Sequence, residues 1–328
     1  MSESGEDNLI ARYFRPLAKT AGALELRDDA AVLAATSGDL VVTTDAIVEG
    51  VHYLATDPPD TIARKALRVN LSDLAAKGAT PVGFLLTLAL REAGESWLST
   101  FAAALGDDAD AFGCPLLGGD TVSTPGPVMI SIAAFGRVAS GRMVKRSTAR
   151  PGDLVAVTGT IGDATLGLDV LRGGRAAAAV AADASAAAYL VDRYRVPRPR
   201  LSLAKAIGNC ASAAMDVSDG LAGDFAKLCA ASGVSAVIDL PKVPLSDAAR
   251  AVLAAGATTI EALISGGDDY EIVCTLAEPS WNELAKLAAG AGVPAAIIGA
   301  IVEGEAPPVF RDGSGCAVTL SRASFSHF

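Results

Sequence analysis

The sequence predicts an α+β protein with two domains. Candidate strands and helices are mixed along its 328 residues without the regular strand–helix alternation of a parallel sheet. A chain of this length is also typical of about two domains. The turn signal Arg150-Pro151-Gly152-Asp153 precedes a new apolar strand at 154–159. We therefore expect an N-terminal domain at 1–148, built on a mixed sheet with helices, and a C-terminal α+β domain at 149–328.

The first domain contains apolar patterns with helical periodicity and several short runs that are typical of strands. An acidic residue or Asn8 is suited to cap its first helix. The apolar segment at 115–117 leads into Gly118-Gly119-Asp120, which on its own reads as a tight turn. The predicted helices are 7–20, 59–77 and 96–112, and the predicted strands are 32–33, 40–44, 82–90 and 128–138.

The second domain starts with the strand at 154–159 and continues into an alanine-rich stretch that favours a helix. Further strands and helices follow in no fixed alternation. The predicted helices are 176–195, 201–210, a helix opening after 216–220, and 280–290. The remaining predicted strands are 235–240, 270–275 and 295–301.

Composition disfavours several classes of protein. A net charge of −10 argues against a broad nucleic-acid surface, which needs clustered Lys and Arg. No apolar run approaches the ~18–20 residues of a membrane span, and the polar N-terminus is unlike a secretory signal. The five cysteines are dispersed and form no CxxC, as expected of a reduced, cytoplasmic protein. Because His52 and His327 are the only histidines, any metal is expected to have hard oxygen ligands.

Six short acidic motifs are distributed along the chain, mostly where a strand is predicted to end or a helix to begin. Their carboxylates are poorly placed for a core but are ligands that Mg²⁺ prefers, together with water and phosphate. Taken singly, each motif is also explained as a turn, a helix cap or a solvated helix residue. Together they favour a polyphosphate site neutralised by metal ions. The motifs are Asp28-Asp29, Thr43-Thr44-Asp45, Asn70-Leu71-Ser72-Asp73, Gly118-Gly119-Asp120, Asp216-Val217-Ser218-Asp219-Gly220 and Gly266-Gly267-Asp268-Asp269.

The common nucleotide-binding motifs are missing from the sequence. It contains no GxxxxGK[ST], no GxGxxG, and no HRD and DFG set of the protein-kinase type. A nucleotide-dependent enzyme with this sequence would therefore hold its phosphates by another arrangement.

Longer segments around the acidic motifs resemble the thiamine-monophosphate kinase family, which belongs to the superfamily named after aminoimidazole ribonucleotide synthetase. The resemblance runs from about residue 8 to the C-terminus, and its motifs are long and ordered. The matching segments are Leu9-Ile10-Ala11-Arg12-Tyr13-Phe14, Asp28-Asp29-Ala30-Ala31-Val32, Thr44-Asp45, Gly50-Val51-His52, Lys65-Ala66-Leu67, Val69-Asn70-Leu71-Ser72-Asp73-Leu74-Ala75-Ala76, Gly118-Gly119-Asp120-Thr121, Arg146-Ser147, Pro151-Gly152-Asp153, Val157-Thr158-Gly159, Asp216-Val217-Ser218-Asp219-Gly220-Leu221, Ser265-Gly266-Gly267-Asp268-Asp269-Tyr270-Glu271 and His327-Phe328.

The resemblance implies ATP-dependent phosphorylation of thiamine monophosphate to thiamine diphosphate, the final step of thiamine diphosphate biosynthesis. It also implies several Mg²⁺ ions and a homodimer that pairs the N-terminal sheets, with the C-terminal domain completing the substrate site. By matching position, the resemblance assigns the Mg²⁺ ligands to Asp29, Thr44, Asp45, Asp73, Asp120, Asp216 and Asp219, with Thr43 as an additional ligand. It assigns ATP contacts to Gly119, Asp120, Arg146 and Ser218, and substrate contacts to His52, Asp268 and Phe325.

Transfer of a phosphoryl group between two phosphates depends mostly on positioning and charge neutralisation. The acceptor is already an ionised phosphate oxygen near neutral pH, so we assign no residue as a general acid or base. The charge of the transition state is then left to the Mg²⁺ ions and to Arg146, whose planar fork suits a phosphate. Phe325 would offer an apolar face to the thiazolium or the pyrimidine.

Two positions depart from the family pattern. Glu25-Leu26-Arg27 stands where the family usually has Gly-Ile-Gly, which bears on the backbone path before Asp28-Asp29. Asp268-Asp269 stands where the family usually has Glu followed by Asp, so the first side chain is shorter by one methylene.

Three alternatives stay open from sequence alone. Another member of the superfamily is the nearest, either aminoimidazole ribonucleotide synthetase or selenophosphate synthetase. The second is expected to carry a reactive cysteine near its N-terminus, whereas the first cysteine here is Cys114. A protein that binds ATP and Mg²⁺ without turnover would form no ADP. A plain α+β domain with solvated acids would show no Mg²⁺-dependent stabilisation by nucleotide.

Overall fold

The computed structural model describes residues 8–28, 30–92 and 94–320, and the chain divides into two compact units. The first unit is formed by Met1–Leu74 and Ala79–Arg142, and the second by Ala75–Gly78 and Met143–Phe328. Segment 143–148, which the sequence prediction placed in the first domain, therefore lies in the second unit. Val144 is buried in that unit's core, and Thr148 Oγ1 donates a 2.6 Å hydrogen bond to the carbonyl of Ser212.

The N-terminal segment is less regular than the single helix predicted at 7–20. Over its described residues it forms a π-helical turn, Ile10–Phe14, followed by the 3₁₀ turns Arg15–Leu17 and Ala21–Leu26. Pro16 has no N–H to continue an α-helical ladder, which explains why the helix stops. The predicted strand at 32–33 is wrong, because these residues lie in an irregular segment where the amide of Val32 donates to the carbonyl of Gly22.

The first unit is built on a four-stranded mixed sheet. Its strands lie in the order β1-β4-β2-β3, and among the three pairings only β2 with β3 is parallel. The mixed sheet predicted for this domain is thus confirmed. The elements are β1 (Asp39–Val48), α1 (Pro59–Ala76), β2 (Thr80–Leu90), α2 (Glu95–Ala111), β3 (Leu116–Ser123) and β4 (Met129–Val138).

The two faces of this sheet differ in what covers them. Alternate β4 residues Ile130, Ile132 and Ala134 are buried, and their partners on β1 include Thr43 and Asp45. This face carries α1, because Asn70 of that helix accepts a 3.0 Å hydrogen bond from the amide of Asp45. The opposite face leaves four large apolar side chains 37–58% exposed: Leu40, Val42, Leu85 and Val122.

The second unit is built on a seven-stranded mixed sheet in the order β11-β10-β7-β9-β5-β8-β6. Neighbouring strands are antiparallel except β10 with β7. The strands are β5 (Leu154–Thr158), β6 (Ala213–Val217), β7 (Ser235–Asp239), β8 (Glu271–Leu276), β9 (Ala295–Val302), β10 (Val309–Arg311) and β11 (Ala317–Val318). The helices are α3 (Asp163–Leu171), α4 (Arg175–Ala179), α5 (Ala184–Arg195), α6 (Ala204–Cys210), α7 (Leu221–Ser232), α8 (Asp247–Ala254), α9 (Ile260–Ser265) and α10 (Glu278–Gly290).

Both faces of the second sheet are covered by helices. Along β5, Val155 and Val157 join the apolar cluster that contains Phe225 of α7. Ala156, between them, joins the cluster that contains Ile207 of α6 and Leu284 of α10. This alternation makes β5 buried on both sides, which explains its continuous apolar sequence.

Several predicted elements are corrected by the structure. The alanine-rich stretch forms two helices, α4 and α5, because Asp183 caps a new helix by accepting the amides of Ser185 and Ala186. Gly118-Gly119-Asp120 is part of β3 rather than a turn, and Thr43-Thr44-Asp45 lies inside β1 rather than at its end. Within the described ranges, none of the helices is long and apolar enough to cross a membrane.

Candidate functional site

In the first unit, three predicted Mg²⁺ ligands lie on the face of the sheet that carries α1. Thr43 Oγ1 donates a short hydrogen bond to Asp73 Oδ2, which joins β1 to the helix. Asp45 lies two residues further along β1 on the same face and is exposed. Thr43, Asp45 and Asp73 therefore form a group of hard oxygen donors, and we call it the α1-side group.

Two further predicted ligands of the first unit lie on the opposite face. Thr44 separates Thr43 from Asp45 on β1, so its side chain points away from α1, and its hydroxyl donates to the carbonyl of Ile132. Asp120 pairs in register with Thr87 of β2, which is partnered by Ser131 on this second face. The preceding Gly119 is required by the pairing, because an added Cβ would meet the carbonyl of Leu86 at 1.9 Å.

Strand order also separates these two groups. Asp45 is in register with Ile132, Ile132 with Leu86, and Leu86 with Gly119. Three strand spacings therefore lie between the β1 and β3 positions, about 14 Å of backbone separation. Within the first unit, the carboxylates of Asp45 and Asp120 consequently do not converge on one metal ion.

A cavity of about 780 Å³ opens beside Asp120 in the first unit. Its lining includes Gly119 and Asp120 together with apolar side chains of the sheet and of the N-terminal segment, among them Phe14, Leu33 and Phe135. An apolar wall next to a carboxylate is suited to a flat ring that carries a charged group at one end.

His52 lies in a tight turn that follows β1. Its Nδ1 accepts a 3.0 Å hydrogen bond from the amide of Val48, so Nδ1 carries no proton in this geometry. The buried Lys65 donates from Nζ to the carbonyl of His52 at 2.8 Å. Hydrogen bonds to the ring and to the backbone carbonyl of His52 therefore both hold the turn that carries this predicted substrate contact.

In the second unit, the predicted residues lie where β6 ends and α7 begins. Asp216 is the buried penultimate residue of β6, and Ser218 and Asp219 form the turn before the helix. The amides of Ser218 and Asp219 both donate to Asp224 Oδ2, at 2.9 and 2.8 Å. A carboxylate that is 1% exposed therefore shapes the turn from within.

Lys227 provides a positive charge at this turn. Its Nζ bonds Asp219 Oδ2 at 2.6 Å and Asp224 Oδ1 at 2.9 Å. Although burial opposes the charge, these hydrogen bonds raise the pKa of Lys227 above its ordinary value. Sequence reasoning missed both Asp224 and Lys227. Asp224 was detectable as an acid in the first turn of a helix that follows an acidic motif.

The loop that carries Asp268 is joined to this turn by backbone hydrogen bonds. The amide of Asp268 donates to the carbonyl of Ser218, and the amide of Tyr270 donates to the carbonyl of Val217, both at 2.8 Å. Gly267 allows this contact, because a Cβ there would meet the carbonyl of Ser218 at 2.4 Å. The structure thus brings together Ser218, a predicted ATP contact, and Asp268, a predicted substrate contact.

The remaining predicted residues are located as follows. Arg146 is exposed in the second unit, and its carbonyl accepts a 2.9 Å hydrogen bond from Ser232 Oγ. Asp29 and Phe325 lie outside the residues that the structure describes.

The donors of the α1-side group and of the β6–α7 turn fit Mg²⁺, because all of them are carboxylate or hydroxyl oxygens. In the part of the chain that the structure describes, no three His, Cys, Asp or Glu side chains are grouped closely enough to hold a metal. Mg²⁺ is commonly held by one or two carboxylates together with water and substrate phosphates. The two carboxylates and one hydroxyl of the α1-side group are compatible with an ion whose remaining ligands are water and phosphate.

Behind the Asp268 loop lies a buried group of charges that sequence reasoning did not identify. Glu271, at the start of β8, is fully buried and accepts hydrogen bonds from Thr158, Arg193 and Arg200. Asp269 is also fully buried, and its Oδ2 accepts the amide of Gly162 at 2.8 Å, directly before α3. Burial raises the pKa of Asp269 well above its ordinary range.

Comparison with known proteins identifies the class of this fold. The family model for the N-terminal domain of AIR synthase related proteins matches residues 27–138, and the model for their C-terminal domain matches residues 150–310. The chain therefore belongs to the AIR synthase related family. Within this family it belongs to the thiamine-monophosphate kinases, as a relative that is 44% identical over 97% of this chain and a solved structure that is 35% identical over 95% of it show.

The thiamine-monophosphate kinase of Caulobacter vibrioides is 44% identical over 324 residues, which cover 97% of this chain and 89% of the relative. The crystal structure of the thiamine-monophosphate kinase from Stenotrophomonas maltophilia superimposes with a TM-score of 0.82 at 35% identity, covering 95% of this chain and 96% of that one. AaThiL complexed with AMPPCP and TMP superimposes with a TM-score of 0.77 at 31% identity, covering 92% and 91%. The family predicted from the sequence motifs is confirmed.

Proposed function

We propose that this enzyme transfers the γ-phosphoryl group of ATP to thiamine monophosphate and releases ADP and thiamine diphosphate, the final step of thiamine diphosphate biosynthesis. The relatives named above support the reaction class. AaThiL was crystallised with AMPPCP, an analogue of ATP, and with TMP, which we interpret as thiamine monophosphate. The observation that carries the proposal is the backbone bond between Asp268 and Ser218. It joins a predicted acceptor contact to a predicted donor contact.

The transfer needs little acid–base chemistry. The attacking atom is a phosphate oxygen that is already ionised near neutral pH, and the leaving group is the β-phosphate of ADP. The protein has to hold two anions in line and compensate their charge. Arg146, exposed and with a planar fork of donors, is assigned to the phosphates of ATP. The amides of the turn at Ser218 and Asp219 are already bonded to Asp224, so ligands would be held by the side chains of these residues, of which Asp219 is also bonded to Lys227.

Mg²⁺ would be held by the α1-side group, by Thr44 and Asp120, and by Asp216 and Asp219, with Asp29 as a further ligand. When bound, it would neutralise the phosphate oxygens and draw charge from the transferred group. Lys227 bonds Asp219, so Mg²⁺ would share this carboxylate with the lysine or displace it.

The cavity beside Asp120 is proposed to accept the base and ribose of ATP. Gly119 and Asp120 line it together with apolar side chains such as Phe14 and Phe135. On the acceptor side, His52, Asp268 and Phe325 are proposed to contact thiamine monophosphate. The shorter Asp268 would leave room for a water between its carboxylate and the pyrimidine, where the family pattern has Glu.

A homodimer is proposed through the uncovered face of the first unit's sheet. Leu40 and Val42 of β1 and Val122 of β3 expose their side chains on this face, and Leu85 of β2 on the same face lines the neighbouring cavity beside Asp120. Exposed apolar patches of this kind mark protein–protein contact sites. A second copy of the same face would supply a matching apolar partner across a two-fold axis.

The activity is tested by a coupled ADP-release assay with thiamine monophosphate as the acceptor. Thiamine and a formylated aminoimidazole ribonucleotide precursor serve as alternative acceptors in parallel reactions. We expect ADP release only with thiamine monophosphate and only with Mg²⁺ present, with thiamine diphosphate identified as the product. Release with the precursor instead would reassign the enzyme within its superfamily. ATP binding without ADP release would indicate a protein that has lost turnover.

The dimer is tested by sedimentation velocity on the native chain and on the Val42→Glu variant. We expect the native chain to sediment as a dimer and the variant to sediment as a monomer, because a buried unpaired carboxylate opposes association. Val302→Glu, at an exposed valine of the second unit, is the control for the charge change and is expected to stay dimeric.

A further inference from the structure

We propose that Arg193 is a positioning residue for the acceptor side of the site, because it holds the loop Gly266–Tyr270 that presents Asp268. This inference rests on the proposed function for the role of Asp268, although not for the geometry of the loop. Arg193 lies in the last turn of α5 and is 1% exposed. None of the substrate, ATP or metal assignments above includes it.

The loop has a backbone that needs support. Asp268 has φ 71° and Tyr270 has φ 51°, and both values lie in the left-handed region that non-glycine residues seldom adopt. Asp269, between them, is fully buried with an ionisable side chain. The left-handed backbone of Asp268 and Tyr270 and the buried carboxyl group of Asp269 would be unfavourable in an isolated loop, so contacts with surrounding residues must hold them.

Arg193 supplies one of these contacts to the backbone itself. Its Nη2 donates to the carbonyl of Asp269 at 3.2 Å and to Glu271 Oε1 at 2.9 Å. One nitrogen therefore bridges the middle of the loop to the first residue of β8. Its Nε is 3.9 Å from Asp163 Oδ2, at the start of α3.

The surrounding residues are arranged to keep this cation in place. Thr158 Oγ1 donates to Glu271 Oε2 at 2.8 Å and accepts the amide of Ile272. Gly159 leaves room for the carboxylate, because a Cβ there would meet Glu271 Oε1 at 2.0 Å. The segments Val157-Thr158-Gly159 and Asp269-Tyr270-Glu271, both singled out in the sequence, therefore belong to one buried support.

The arginine itself is incompletely satisfied. Its Nε and Nη1 have no hydrogen-bond partner within the described structure, although both are buried. A buried cation with unpaired donors contributes less to the free energy of unfolding than an apolar side chain of similar volume would, because the apolar side chain has no donors to satisfy. We therefore attribute the presence of Arg193 to its contacts with the loop rather than to global stability.

Arg200 provides a matched control in the same pocket. It binds both oxygens of Glu271, with Nε at 2.6 Å from Oε2, and neither of these bonds reaches the loop backbone. The metal side has a separate anchor, because Asp224 holds the amides of Ser218 and Asp219. Loss of Arg193 should therefore affect the acceptor more than ATP.

The experiment compares Arg193→Lys and Arg193→Met with Arg200→Lys. Hydrogen exchange of the Asp268 and Tyr270 amides is measured first, because it reports on the loop without turnover. Steady-state kinetics then give kcat and separate KM values for thiamine monophosphate and ATP. For Arg193→Lys we expect faster exchange at both amides and a KM for thiamine monophosphate raised about 10- to 100-fold. The KM for ATP should change by less than about threefold, and Arg200→Lys should change each quantity less than Arg193→Lys does.

The outcomes separate this proposal from the proposed function. Unchanged exchange at the loop amides overturns the positioning role, whatever the kinetics show. Equal increases in both KM values, or a fall in melting temperature with unchanged exchange, reduce Arg193 to a general stabilising residue. If the native enzyme does not turn over thiamine monophosphate, the proposed function fails, and the exchange data still decide whether Arg193 holds the loop. Arg193→Lys keeps the experiment interpretable if Arg193→Met does not fold.

Discussion

The two units present their predicted ligands in different ways. In the first, Thr43, Thr44, Asp45 and Asp120 lie on regular strands, and side-chain alternation alone sends Thr43 and Thr44 to opposite faces. In the second, Ser218 and Asp219 lie on a turn that is shaped by the buried carboxylate of Asp224. A strand sets the direction of a ligand by its periodicity, whereas a turn needs dedicated buried partners. Substitutions in the first unit should therefore affect activity with little effect on stability, and substitutions of the supports in the second should affect both.

The largest effect is expected for Asp120→Ala. Asp120 is exposed on β3, so an alanine there leaves the core unchanged, and the free energy of unfolding should move by less than about 0.5 kcal/mol. If Asp120 is the proposed Mg²⁺ ligand, its loss should lower kcat/KM about 100- to 1000-fold. Denaturation in urea and the ADP-release assay measure the two quantities on the same preparation.

Asp107→Ala is the matched control, because the Asp107 side chain is 72% exposed and lies on α2. It should keep native activity and stability. Native turnover by Asp120→Ala at saturating Mg²⁺ would remove Asp120 from the site. A large loss of stability in that variant would contradict the expected difference between the two units.

A smaller effect on activity, combined with a loss of stability, is expected for Asp224→Asn. The amide keeps one acceptor oxygen for the turn but loses the charge that bonds Lys227. We expect the free energy of unfolding to fall by about 1–3 kcal/mol. We also expect the Mg²⁺ concentration for half-maximal activity to rise about 10- to 100-fold, because a group that orients metal ligands has been weakened.

Asp239→Asn breaks a surface pair with Lys242 and is the control for charge loss in the same unit. It should leave the free energy of unfolding and the Mg²⁺ concentration for half-maximal activity unchanged. A variant of Asp224 that is less stable but has native Mg²⁺ dependence would assign this residue to folding alone.

The difference between ligands on strands and ligands on a turn also explains which features the sequence could predict. Acidic motifs beside Gly, Ser or Thr were visible as residue types, and the resemblance to the kinase family assigned roles to Asp216, Asp219 and Asp268 without a structure. Their positions in elements were less visible, because Gly118-Gly119-Asp120 has turn composition yet pairs as part of β3. Gly119 is there because β2 runs too close for a side chain. Arg193 gave no signal, since an arginine near a helix end usually reads as a solvated residue that favours the helix dipole.

A pH-dependent effect is expected from Asp269. Burial holds its folded-state pKa well above the ordinary value, with the negative charges of Asp163 and Glu271 adding to the shift and Arg193 opposing it. A raised carboxylate pKa means that the folded state binds the proton more tightly than the unfolded state does. Protonation of Asp269 therefore stabilises the folded state at pH values below the pKa of the residue in the unfolded chain, about 3.9. This stabilisation is lost as the pH rises through the pKa of Asp269 in the folded protein.

Asp269→Asn removes this titration, so its free energy of unfolding should depend less on pH than that of the native protein between pH 4 and 8, as measured by urea denaturation. Asp312 is the contrasting control, because its hydrogen bonds from Ser314 and Cys316 lower its pKa. Asp312→Asn should alter the pH dependence only below about pH 4, where the unfolded carboxylate binds its proton. An identical slope for native protein and Asp269→Asn would contradict a raised pKa at this position.

The smallest effect is expected in the N-terminal segment of the first unit. Leu24, Glu25 and Leu26 have φ values of 50°, 56° and 53°, at or next to positions where the family pattern has Gly-Ile-Gly. Glu25→Gly removes the steric penalty of a left-handed residue, while the bond from Arg15 to the carbonyl of residue 25 can remain. The steric penalty that is removed from the folded state exceeds the entropic cost of a more flexible unfolded chain. We therefore expect the free energy of unfolding to rise by about 1 kcal/mol. Tyr270→Gly has the same backbone geometry but is expected to lose stability, because the Tyr270 side chain is buried. Urea denaturation of both variants tests this contrast between a strained segment with an exposed side chain and one whose side chain is packed.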